Sequence, residues 1–127
     1  YKRQMPGYPT ETEEDWLQTM DLVKRWYPQN MDKIVIMPSS PFLLLEKTPI
    51  MEPDVFNSLG IHEHIIGGYN SAYWTVDSNP TNTIVRRTER FFELCNYIID
   101  INPKMADRYK RIMSVTQRRL DWYNENT

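Results

Sequence analysis

His62 and His64 are the chain's only histidines, and they sit two residues apart. On a strand that spacing sends both rings to one face, where two imidazoles can share a first-row metal ion or work as an acid–base pair. Such a site needs a further carboxylate a few residues on. Ile65, Ile66, Gly67 and Gly68 stand there instead, and Glu63 points to the opposite face. Glu52, Asp54 and Asp77 have no spacing that selects them. No metal set is therefore assigned, and His62 and His64 stay as candidates for a small metal-dependent hydrolase. The competing reading is a His–Tyr contact across a hairpin.

The remaining nucleophiles and acids carry less. Ser39, Ser40 and Ser71 stand in no Gly-x-Ser-x-Gly pattern, and the four glycines form no phosphate-cradling loop. Cys95 falls on the apolar stripe of a helix, which predicts an inert small hydrophobe. Acidic pairs on facing helices can hold Mg²⁺. Here Glu11 and Glu14 lie in a capping turn, and Glu89 and Glu93 lie among Arg86, Arg87 and Arg90, where surface ion pairing accounts for them. The reading leans away from an enzyme and calls for no cofactor.

Charge is the stronger signal. The formal net charge is only −2. Residues 1–78 hold six Lys and Arg against eleven Asp and Glu, whereas residues 79–127 hold nine against six. Lys104, Arg108, Arg111 and Arg118 are separated by steps of 4, 3 and 7, so they return to one helical face, with Arg119 beside them. Such a stripe can track phosphates or meet the acids of a protein partner. Asp107 and Asp121 are interleaved with it, and no helix-turn-helix or RNA-binding signature accompanies it. The bland alternative is that the acidic and basic halves face each other inside one domain.

Composition bounds the rest. At 127 residues with 40% hydrophobic and 13% aromatic content, the chain suits one domain with its own core. No apolar run approaches the ~18 residues of a membrane span, so no integral membrane segment is expected. A single cysteine rules out an internal disulfide framework and fits a reducing, intracellular location, cytoplasmic or organellar.

The elements that must position these residues follow from periodicity and punctuation. Pro6, Gly7 and Pro9 make residues 1–9 an extended arm ahead of a single domain at 10–127. Thr10 with Glu13 matches a capping box that opens a helix. Trp16, Leu17, Met20, Val23, Trp26 and Tyr27 form its stripe, and Pro28 stops it. Residues 33–37 read as a short strand. Phe42, Leu43, Leu44 and Leu45 lie between prolines, without a clear element. Pro53 and Gly60 bracket a brief helix at 53–59.

Gly67 and Gly68 then suit a two-residue hairpin turn that places His62 opposite Tyr73. Ile61, Ile65, Ala72, Trp74 and Val76 line the apolar face of that hairpin. His62, His64, Tyr69, Tyr73 and Thr75 line the other. A helix over about 81–101, capped by Asn79 or Thr81, carries Ile84, Thr88, Phe91, Phe92, Cys95, Ile98 and Ile99. Asn102 and Pro103 turn the chain into a last helix, making a long αα-hairpin.

The expected fold is α+β and helix-rich. It has an N-terminal helix, a short strand plus β-hairpin forming a small antiparallel sheet, and a long C-terminal αα-hairpin. The expected function is a non-catalytic protein-interaction or assembly subunit, an adaptor in a larger complex. Tyr1, Tyr8, Phe42, Leu43, Leu44, Tyr69 and Tyr73 are its proposed partner contacts. Lys104, Arg108, Arg111, Arg118 and Arg119 are its contacts to phosphate or an acidic partner. The alternatives are a nucleic-acid-associated protein using the same basic helices and the hydrolase at His62 and His64.

Overall fold

The structure is a computed structural model and describes residues 8–32, 51–64 and 72–126. Its elements run in the order α1 (Glu13–Asn30), α2 (Pro53–Leu59), β1 (Ile61–Glu63), β2 (Trp74–Val76), α3 (Ile84–Ile101), a 3₁₀ turn (Pro103–Met105) and α4 (Ala106–Asn126). This is a helix-rich α+β fold with a small antiparallel sheet and a long C-terminal helical hairpin. Among the described residues no helix is long and apolar enough to cross a membrane. The strand expected at 33–37, the Phe42–Leu45 run and the Gly67-Gly68 turn lie outside the described residues. The sheet among those described has two strands.

α1 begins two residues later than the sequence predicts. The Thr12 hydroxyl accepts the Asp15 amide and the Asp15 carboxylate accepts the Thr12 amide, each at 3.1 Å. Thr10 and Glu13 do not form the cap, because the chain ahead of Thr12 is committed elsewhere. The Glu11 amide closes a turn on the Tyr8 carbonyl at 2.8 Å. The Asn79 side chain donates to the carbonyls of Pro9 and Glu11, and Asn82 donates to that of Tyr8. Pro9, read as part of an arm, is buried. Asn79 is thus occupied and does not cap α3, and the Thr81 hydroxyl donates to the Asn79 side-chain Oδ1. Thr83 caps instead, accepting the Arg86 amide at 3.1 Å.

Pro28 does not end α1, which runs on to Asn30. A proline so near the terminus removes one helical bond, and the Asn30 side chain satisfies the Trp26 carbonyl at 2.8 Å. The buried stripe is Trp16, Met20, Val23 and Tyr27. Steps of 4, 3 and 4 keep these on one line, whereas Leu17 and Trp26 fall to either side and are exposed.

That line packs on Leu94 and Ile98 of α3 and Tyr109 of α4, giving a three-helix core. Fully burying one such aromatic side chain makes its truncation cost roughly 3–5 kcal/mol. A second cluster seats Met51, Phe56 and Leu59 on Ile61, Trp74 and Val76. A third joins Tyr73 and Ile84 to Leu120 and Tyr123. The αα-hairpin turns at Asn102, whose side chain donates to the Tyr27 hydroxyl at 3.0 Å rather than capping α4.

The β-pairing differs from the expected register. Ile61 opposes Val76, His62 opposes Thr75 and Glu63 opposes Trp74. A two-residue turn at Gly67-Gly68 would have put His62 opposite Tyr73. The difference is two residues along β2, so the faces do not invert. Ile61, Trp74 and Val76 point inward as expected.

Gly60 ends α2 in the left-handed region at φ 69°. A Cβ there would lie 2.8 Å from the Cβ of Asp77. Both strain and clash oppose a side chain, so Gly60→Ala is expected to destabilise by about 1–2 kcal/mol. Urea unfolding followed by circular dichroism checks this; an unchanged midpoint would contradict it.

Candidate functional site

The basic residues divide into two groups with opposite fates. On α3, Arg90 is 0% exposed. Its two terminal nitrogens donate to Glu11 at 2.9 Å and Glu13 at 2.7 Å. Arg86 grips the same Glu13 in a fork, at 2.6 and 2.8 Å. Glu93 accepts the Trp16 indole N–H at 2.9 Å, and Glu89 lies 3.6 Å from Arg86. Of the surface ion pairing expected here, the pairs of Arg86 with Glu13 and Glu89 lie at the surface, whereas Arg90 is interior. The acidic segment before α1 meets the basic start of α3, so part of the charge asymmetry is resolved inside the domain.

The hydrogen bonds from Arg86, then those from Arg90, hold the Glu13 carboxyl down, from 4.5 to about 2. Glu13 in turn raises the pKa of Arg86.

Arg87 is buried without a carboxylate. Its guanidinium lies 3.6 Å over the Trp74 ring and donates to the carbonyls of Asn82 and Trp74, each at 2.8 Å. Burial pushes its pKa down to about 9, and the positive Arg90 adds to the shift. It still carries its charge at neutral pH. Arg87 therefore serves as a structural post between α3 and the sheet, not as a surface cation.

Sequence reading missed the burial of Arg87 and Arg90, although a signal was present. Positions 84, 87, 88, 91, 94, 95 and 98 share one helical face, so these arginines flank or join the apolar stripe.

α4 behaves differently. Lys104, Arg108, Lys110, Arg111 and Arg118 are exposed and take part in no ion pair among the described residues. Arg119 is half-buried, and its carbonyl accepts the Tyr73 hydroxyl at 3.1 Å. Asp121 accepts from Gln117 rather than from an arginine.

Two residues that the sequence reading did not single out belong to this face. Val115 is 39% exposed and Trp122 is 45% exposed. They continue the line at steps of 3 and 4 through Lys104, Arg108, Arg111, Val115, Arg118 and Trp122. From Arg108 to Trp122 the line runs about 21 Å, at 1.5 Å per residue. That spacing was the signal that could have found them.

The aromatic contacts fare less well. Tyr73 was placed on an exposed face, but it is buried. Its ring stacks on Tyr123 with centroids 5.9 Å apart, because α4 covers that side of the sheet. It is unavailable to a partner. Tyr8 is exposed. Tyr1, Phe42, Leu43, Leu44 and Tyr69 lie outside the described residues.

The two histidines do not converge on a shared ligand. His62 sits 2.8 Å from Asp77, both exposed, and His64 bonds the Thr75 hydroxyl at 3.1 Å. Among the described residues no three His, Cys, Asp or Glu side chains gather as metal ligands would. Cys95 is buried, and burial pushes its thiol up to about 12, so it is an inert core residue.

Comparison with family models, with curated proteins and with solved structures finds no match to the chain.

The Glu13 geometry fixes a pH dependence. Its folded pKa lies below its unfolded value of 4.5, so its contribution is complete above that value. It is lost as pH falls from about 4.5 towards 2. The thermal midpoint of the native chain is expected to drop over this window, and that of Glu13→Gln to drop less. Parallel melting curves for the two proteins would show no such difference if the pairing contributes nothing.

Proposed function

We propose that the protein is a non-catalytic interaction subunit that docks an acidic protein partner along the outer face of α4. One observation carries the reading. Among the described residues the cations of this face pair with no acid, and they alternate with an exposed valine and tryptophan. Arg and Trp are the residue types that interface centres enrich and on which binding energy concentrates.

The nucleic-acid alternative uses the same cations. Asp107 and Asp121 count against it, because both are exposed along one flank of the stripe, where a uniformly negative backbone would meet them. The whole chain is also slightly acidic, at −2. The hydrolase alternative lacks a third group beside His62 and Asp77. A role as adaptor or assembly subunit inside the cell, where a buried free cysteine stays reduced, belongs to the same proposal.

Poly-L-glutamate and a dT20 oligonucleotide separate the readings by isothermal titration at about 0.15 M salt. The expected result is tighter binding of poly-L-glutamate, weakening as salt rises. The double variant Arg108→Glu, Arg111→Glu is expected to lose at least tenfold in affinity, with its helical circular dichroism unchanged. Preference for dT20, or binding of neither, would overturn the proposal.

A further inference from the structure

Resting on that reading, we infer that the partner presents an acidic amphipathic helix that lies lengthwise on α4, with apolar side chains seated on Val115 and Trp122. Lys104, Arg108, Arg111, Val115, Arg118 and Trp122 are separated by 4, 3, 4, 3 and 4 residues. This alternation is the period by which one helix keeps a continuous seam against another crossing it at about 20°.

The residues along the seam are arranged for one kind of occupant. Three arginines at positions 108, 111 and 118 select carboxylates at matching turns of the partner. Val115 and Trp122, exposed at 39% and 45%, lie one and two turns from them and supply the apolar area. Asp107 and Asp121 are fourteen residues apart on the same exposed flank, one before the seam positions Arg108 and Trp122, where they would meet basic edge residues of the partner. Basic seam, apolar anchors and acidic edge together describe an oriented helix with acids at its centre and cations at one margin.

Local stability does not account for the pattern. Arg108 sits in the first turn of α4, where the helix dipole disfavours a cation by roughly 0.3–1 kcal/mol, and Lys104 precedes it in the 3₁₀ turn. The last turn of α4, where cations would be favoured, has none.

The test uses the whole protein and two synthetic peptides of about three heptads with identical composition. One places Glu opposite Arg108, Arg111 and Arg118, and Leu opposite Val115 and Trp122. The other scrambles the order so that no helical face is acidic. The patterned peptide is expected to bind at least tenfold more tightly, about 1.4 kcal/mol, and to gain helical circular dichroism on binding. Val115→Ala with Trp122→Ala is expected to remove that advantage while leaving poly-L-glutamate binding intact. Helical circular dichroism equal to that of the native chain checks that the fold of this variant is preserved.

Equal binding of the two peptides, unaffected by those substitutions, would overturn the helical partner yet leave the acid-binding reading standing. Failure of the peptides and of poly-L-glutamate alike would overturn both.

Discussion

The buried guanidinium of Arg90 is the constraint around which the molecule is arranged. A fully enclosed cation needs partners in place of water, and for Arg90 they are the carboxylates of Glu11 and Glu13, supplied from the segment that leads into α1. That requirement fixes where the chain before Thr12 runs and hence where α1 can start. It also fixes how α1 approaches α3. Asn79 and Asn82 complete the clamp from the turn before α3 by holding the carbonyls of residues 8, 9 and 11. The three-helix core of Trp16, Met20, Leu94, Ile98 and Tyr109 then packs in the one orientation these bonds permit. Burial of apolar area stabilises the domain, while the arginine and its two glutamates select which packing is adopted.

Arg87 extends the same logic to the sheet. It lies one turn before Arg90 on α3, stacked on Trp74 and bonded to main-chain carbonyls of the Asn82 turn and of β2. A two-stranded sheet of three residues per strand is marginal by itself. Here its central tryptophan is held from one side by a planar cation and from the other by α2. Lysine is a poor replacement for this guanidinium, because an ammonium lacks the planar fork that lies flat on the ring while its two separate nitrogens each reach a different carbonyl. Two neighbouring arginines of α3 thus anchor the two ends of the fold.

The parts of the fold set by local pattern were legible in the sequence. α2 is an example: Pro53 at its first turn and Gly60 past its end bounded it correctly. The αα-hairpin followed equally well from the periodic stripe of α3 and the Asn102-Pro103 break. What escaped was set by contacts distant in sequence. Thr12 rather than Thr10 caps α1 because Glu11 is drawn to Arg90, which lies 79 positions away. The β-register moved because Trp74 must reach Arg87 and the α2 cluster, a demand that the glycine pair does not record. Arg87 and Arg90 read as surface charges because a helical pattern shows which face a residue joins, not which acids wait there. Of the candidate site, the arginine stripe was legible, and the apolar residues within it were not.

The same bookkeeping explains why α4 stands apart. Acids from the first half of the chain reach α3 because the segment before α1 runs beside it. Among the described residues they do not pair with the outer side of α4, whose inner side is filled by Tyr109, Thr116 and the residues packed around Tyr73. Arg86 and Arg90 are therefore paired with acids within the domain, whereas Arg108, Arg111 and Arg118 are exposed and pair with no acid among the described residues. A helix whose cations neither pair internally nor complement its own dipole gains no stability from them. Among the described residues its outer face is left with exposed cations beside an exposed valine and tryptophan.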